Sequence, residues 1–95
     1  MPKYLIEVPH DEDVASCARV IECFLDFGSH FVANADWGCK DGVHKAWITI
    51  EADNKQQARD ILPPPHRAKA KIIQLNKFVM QDIKDILSHH RKKAF

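Results

Sequence analysis

No stretch of this sequence approaches the ~18 to 20 consecutive apolar residues that a membrane helix requires, so no spanning segment and no membrane partner is expected. There is no C-x-x-C pair either. The three cysteines, Cys17, Cys23 and Cys39, form an odd and scattered set, which argues against a disulfide framework or a zinc ribbon and fits a reducing, cytoplasmic setting. Met1 to Pro9 carries one lysine and a few apolar residues interrupted by Glu7, too short and too mixed for an export signal. Charge of one sign is also missing: fourteen Lys and Arg against thirteen Asp and Glu leave +1, which removes the electrostatic footprint of a dedicated nucleic-acid or anionic-membrane binder. Internal repeats and low-complexity tracts are absent as well.

What is present is ordinary globular composition, 45% hydrophobic and 28% charged over 95 residues. That is enough for one small core and too little for two, so residues 1–95 read as a single domain with its core in 3–78 and a last helix over 79–93. Tyr4 to Val8 alternates as a short strand ended by Pro9-His10. Asp11-Glu12-Asp13 suits a helix start, and Val14, Cys17, Ala18, Ile21, Phe24 and Leu25 recur at helical spacing until Gly28 closes the helix. Phe31 to Trp37 and His44 to Ala52 read as two strands joined through Asp41-Gly42, a strong hairpin signal. Asp53 and Gln56 resemble a capping box for a short helix that packs Ala58, Ile61 and Leu62 and stops at Pro63-Pro64-Pro65. Lys71 to Phe78 reads as a fourth strand, and Val79, Ile83, Ile86, Leu87 and His90 mark an amphipathic last helix ending in cations.

Strand, helix, strand, strand, helix, strand is the ferredoxin-like order, which predicts an α+β fold: a four-stranded antiparallel sheet with helices on one face, plus the additional C-terminal helix. Parity across the hairpin sorts the sheet into two faces. One collects Phe31, Ala33, Ala35 and Trp37 with Ala46, Ile48, Ile50 and Ala52, joined by Ile6, Val8, Ile73 and Leu75. The other collects His30, Val32, Asn34 and Asp36 with Lys45, Trp47, Thr49 and Glu51, joined by Leu5, Glu7, Gln74 and Asn76. The second face mixes polar groups with Trp47, Leu5 and Val32, the composition of a pocket or an interface.

With its Gly28-Ser29-His30-Phe31-Val32 segment, the loop ending in Lys40-Asp41-Gly42, the strand Ala46-Trp47-Ile48-Thr49-Ile50-Glu51 and the helix around Ala58 before a proline-marked turn, the chain resembles the dimeric α+β barrel superfamily. Muconolactone-isomerase-like and YCII-like proteins are members. The resemblance covers most of Lys3 to Phe78 and implies that the second sheet faces of two copies pack together as a homodimer. YCII-like proteins are associated with a His and Asp pair whose His lies on or near the first helix; Asp11 to Phe27 contains no histidine, so no activity is carried over.

Candidate ligand-binding residues follow from the polar face: Glu7, His30, Asn34, Asp36, Trp47, Thr49, Gln74 and Asn76, able to hold a small polar molecule or to form a polar layer between two copies. His30 and Asp36 cannot act as a pair along one strand, because six residues at ~3.4 Å each separate them by roughly 20 Å. Three prolines could position His66 and Arg67 at a pocket rim, although a stiff connector is the plainer reading. No His or Cys spacing matches a zinc motif, so no metal ligand and no cofactor is assigned. Metal binding through His and Cys residues nevertheless stands as a third reading, with Cys39 and His44 flanking one turn and His10, His30, His66, His89 and His90 elsewhere. Cys17 reads as a small core residue and Cys39 as an exposed thiol. An RNA-recognition role is disfavoured, since the strand around Trp47 offers one stacking ring and Glu51 where such modules carry two aromatics and a basic neighbour.

Overall fold

Tyr4, Ile6 and Val8 alternate with Leu5 and Glu7, and the computed structural model accordingly shows Lys3–Pro9 as a strand, β1, with those three residues buried. The structure describes residues 1–28 and 30–92, without the side chains of Phe31 and residues 90–92; expectations placed on Ser29, Phe31, His90 and the basic end 91–93 lie outside the described residues. After β1 come α1 (Val14–Phe27), a short α2 (His30–Ala33), β2 (Asp36–Trp37), a 3₁₀ turn (Cys39–Asp41), β3 (Lys45–Glu51), α3 (Lys55–Asp60), α4 (Pro64–Arg67), β4 (Lys71–Leu75) and α5 (Met80–Lys92). The strands form one antiparallel sheet in the order β2-β3-β1-β4. This is a small α+β fold with its core on one sheet face, where Ile6, Val8, Ala46, Ile48, Ile50, Ala52 and Ile72 meet Val20 and Phe24 of α1 and Ala58 and Leu62 from the α3 region.

The hairpin parity holds where the second strand survives, with Asp36 opposite Trp47 and Trp37 opposite Ala46. Most of that strand is replaced by α2. Ala33, Asn34 and Ala35 are weak strand formers, and the Asn34 side-chain amide donates to the His30 carbonyl at 2.8 Å, which closes a helical turn instead. Val32 therefore leaves the open face and enters the core at 1% exposure.

Three further expectations shift in phase. On α1 the buried residues are Cys17, Val20 and Phe24, while Val14 and Leu25 are exposed; Val20 supplies the three-residue step between them. On β4 the buried residue is Ile72, paired with Ile6, so Ile73 lies opposite Leu5 on the other face and Leu75 opposite Lys3. Two adjacent isoleucines satisfy either parity, and strand register decides between them. The cap of α3 is Asn54, whose side chain accepts from the Gln57 amide at 2.8 Å while the Gln57 side chain accepts from the Asp53 amide.

The prolines begin an element as well as ending one. Pro63 is extended and buried, and Pro64 and Pro65 open the turn of α4, where missing amides cost nothing. Arg67 donates to the carbonyls of Leu62 and Asp60, and Arg59 to those of Arg67 and Ala70, so the segment is fastened from both sides. α5 projects from the body: Val79, Ile83, Ile86 and Leu87 are all exposed, and the chain extends 54 Å along its long axis against 29 and 21 Å across. No helix among the described residues is long and apolar enough to cross a membrane.

Candidate metal centre

Antiparallel pairing of β1 with β3 sets Pro9 opposite Lys45 at one end of the sheet. The residues just beyond that pair, His10 and His44, are held together by a backbone bond from the His10 amide to the His44 carbonyl at 3.1 Å. Asp13 then caps α1, its carboxylate accepting from the Ser16 amide at 2.8 Å, and Cys17, at the fourth position of the helix, comes down onto the same end of the sheet. The fourth residue arrives from the other side. The Gly38 amide donates to the Lys45 carbonyl, and the Gly38 carbonyl accepts from both Asp41 and Val43, which folds Cys39–Asp41 into a tight turn closed by Gly42 in the left-handed region. A Cβ on Gly38 would stand 2.6 Å from the Val43 carbonyl oxygen and 2.8 Å from the Trp47 ring, so only glycine lets the turn lie this close to β3.

Four donor atoms converge as a result. His10 Nε2 stands 3.1 Å from Cys17 Sγ and 3.0 Å from Cys39 Sγ, and His44 Nδ1 stands 3.3 Å from Cys17 Sγ. All four lie within 4.8 Å of one another. Cys17 is buried, while His10, Cys39 and His44 are half-buried. In a tetrahedral zinc site, with metal–nitrogen near 2.0 Å and metal–sulfur near 2.3 Å, neighbouring donors stand about 3.6 Å apart. To enclose an ion, the three close pairs need to open by about half an ångström, and the remaining pairs, which reach at most 4.8 Å, need to close by no more than about 1 Å.

The electrostatics suit a cation. Burial, followed by the neighbouring His44, holds the His10 imidazole below its ordinary value, with Asp11 opposing, so the neutral ligating form is favoured. Burial and the adjacent Cys39 push the Cys17 thiol up, which a bound dication reverses by taking the thiolate. His10 Nδ1 is buried with no hydrogen-bond partner among the described residues. An orphaned buried polar atom costs about 1–3 kcal/mol, and the fold carries that cost at the residue whose other nitrogen faces two sulfurs.

The residues expected from sequence are dispersed. Glu7 and Trp47 do meet on the open sheet face, where Trp47 Nε1 donates to Glu7 Oε1 at 3.2 Å and Lys45 Nζ lies 3.5 Å from the same oxygen. Thr49 is exposed on that face, opposite Leu5. His30 and Asn34 belong to α2, which packs against the core through Val32. Asp36 lines a shallow depression with Trp37, Cys39 and Lys40. Gln74 lies opposite Tyr4, on the core side of the edge strand, while Asn76 lines a separate depression with Met1 and Lys77. His66 meets the edge of the Phe24 ring with centroids 5.6 Å apart and lines a cavity of about 240 Å³ with His10, Arg19 and Lys69, whereas Arg67 is spent on backbone carbonyls.

The sequence carries no ligand motif for this cluster because the four donor residues come from four separate segments and obey no local spacing. The available signal was topological. Pairing the first and third strands sets His10 beside His44, and Cys39 lies in the turn that leads to His44. Comparison with family models, with curated proteins and with solved structures finds no match to this chain.

Proposed function

We propose that this chain is a metal-binding domain holding one divalent ion, zinc by its donor set, in a Cys2His2 centre made by His10, Cys17, Cys39 and His44. The observation that carries the reading is the convergence of four soft and borderline donors within 4.8 Å. Two thiolates and two neutral imidazoles balance a dication, and four protein donors leave no open coordination position, which favours a structural or regulatory centre over a hydrolytic one. The ion ties α1 and the β2–β3 turn to the end of the central strands. Metal analysis of the purified chain should find about one zinc per chain, and cobalt substitution should give the intense thiolate-to-cobalt absorption of a tetrahedral site. His44→Ala and Cys39→Ser should each abolish that absorption. A wild-type chain that retains no metal and shows no such band sinks the reading.

The order β4-β1-β3-β2 with α1 and α3 on one side supports a ferredoxin-like arrangement. The uncovered face supports association: Leu5, Trp47, Ile73 and Leu75 lie there, with α5 presenting its own exposed apolar stripe. A second copy of this chain is the occupant assigned to that face, in line with the resemblance to dimeric α+β barrels. Light scattering of wild type and of Leu75→Glu tests it, a dimer that the charge shifts toward monomer being the expected result. A small polar ligand at Glu7, Trp47 and Thr49 is the competing use of the face; a monomer stabilised by such a ligand in thermal unfolding would favour it. Three cysteines outside any disulfide suit a reducing compartment such as the cytoplasm.

A further inference from the structure

We propose that Cys17 and Cys39 form a reversible oxidation site that controls occupancy of the metal centre: with a peroxide as oxidant the two sulfurs close an intramolecular disulfide and the ion leaves. The inference rests on the Cys2His2 reading and adds regulation of that same site. The two sulfurs flank one imidazole nitrogen, at 3.1 and 3.0 Å from His10 Nε2, and are within 4.8 Å of each other. A disulfide needs an S–S distance of about 2.0 Å, so at most about 3 Å of approach is required. The chain's third cysteine cannot compete locally. Cys23 lies six residues beyond Cys17, about 9 Å further along the helix and on a different side of it.

Exposure assigns an order to the two thiols. Cys39 is half-buried and Cys17 is buried, so an oxidant reaches Cys39 first. The Cys39 thiolate attacks one oxygen of hydrogen peroxide, the O–O bond breaks, and hydroxide departs and is protonated to water, leaving a sulfenic acid. The Cys17 thiolate then attacks that sulfur, the S–S bond forms, the S–O bond breaks, and a second hydroxide is protonated to water. The sulfurs lose two electrons and the peroxide gains them; the two protons come from solvent when the thiolates were metal-bound. A disulfide has no thiolate to donate, and His10 and His44 alone hold the ion weakly.

The experiment uses the full chain loaded with zinc and treated with one equivalent of hydrogen peroxide, followed by a chromogenic zinc chelator, a thiol count in denaturant and peptide mapping. The expected result is a fall from three thiols to one, release of about one zinc per disulfide formed, a Cys17–Cys39 cross-link, and recovery of three thiols and the zinc after dithiothreitol. Cys23→Ser should behave identically apart from its missing thiol. Cys17→Ser, which needs no metal for its readout, should trap Cys39 as a sulfenic acid that reacts with dimedone. Zinc bound with no Cys17–Cys39 link, a link through Cys23, or oxidation straight to sulfinic acid overturns the switch and leaves the metal centre standing. No zinc bound but the link formed overturns the metal centre together with its control.

Discussion

The rings of Phe24 and Trp37 meet edge to face with centroids 5.1 Å apart. Phe24 lies on the buried stripe of α1 seven positions after Cys17, and Trp37 stands two positions before Cys39, so this aromatic contact clamps together the two segments that deliver the sulfurs. Phe24 is fully buried. Phe24→Ala should cost about 3–5 kcal/mol in denaturant unfolding of the metal-free chain. Trp37→Leu should cost less stability yet weaken zinc affinity measurably in a chelator competition, because it loosens the turn while sparing the centre of the core. Equal metal affinity in wild type and Trp37→Leu would show that the clamp plays no part in positioning Cys39.

The phase of β4 offers a sharper test, since neighbouring residues of the same type face opposite ways. Ile72 is buried opposite Ile6, whereas Ile73 is half-buried on the open face. Ile72→Ala should destabilise by about 2–5 kcal/mol and Ile73→Ala by roughly 1 kcal/mol or less in the monomeric state. The reverse ranking in urea titrations would mean that the strand is shifted by one residue.

A third expectation concerns acidity. His66 is held below its ordinary value, chiefly by burial and then by Lys69 and His10, and His10 is lowered as well. Both imidazoles therefore bind protons less readily in the folded chain than in the unfolded one. Where the unfolded chain holds more protons, stability rises with pH. Stability of the metal-free protein should thus be full above the unfolded value near 6.5 and decline as the pH falls from there through the lower folded values. Thermal unfolding at pH 7.5 and 5.5 measures the decline, and His66→Gln should make it shallower. An unchanged slope in that variant would place the acid sensitivity elsewhere.

The fastening of α4 can be tested at Arg59. Its guanidinium donates to the carbonyls of Arg67 and Ala70, which bracket the approach to β4. Arg59→Met keeps the aliphatic stem and removes both bonds, and it should cost about 1–3 kcal/mol. Amide exchange at Ala70 and Ile72 should accelerate with it; unaltered exchange there would show that the prolines alone hold the segment.

Much of the sheet could be read from the residues themselves. Ile6, Val8, Ala46, Ile48 and Ile50 alternate so regularly that one face had to be the core, and Asp41-Gly42 fixed the hairpin register that sets Trp47 opposite Asp36. What alternation could not resolve was any segment satisfying two patterns at once. Ile72 and Ile73 fit both parities, and Phe31 to Trp37 contains enough alanine to fold as a turn once Asn34 finds the His30 carbonyl. The candidate site was harder for a different reason. Local spacing carries information about ligands that share a turn or a helix, whereas His10, Cys17, Cys39 and His44 share only a place at the end of the sheet. His66 stands out in the sequence only for following three prolines, and its ring contact with Phe24 depends on tertiary packing that no local pattern encodes.

All four donor residues fall between positions 10 and 44, so the order of synthesis bears on when the centre can form. A ribosome has delivered the whole donor set before α3, α4, β4 and α5 are made, and β3, whose pairing with β1 sets His10 beside His44, follows immediately. In the proposed centre, metal capture would then staple α1 and the hairpin to the two central strands while the far edge of the sheet is still empty. The nascent chain would accordingly present β4 with a finished template, and the strand pairing of largest sequence separation in the sheet, between the first strand and the last, would begin from an ordered half instead of a disordered one.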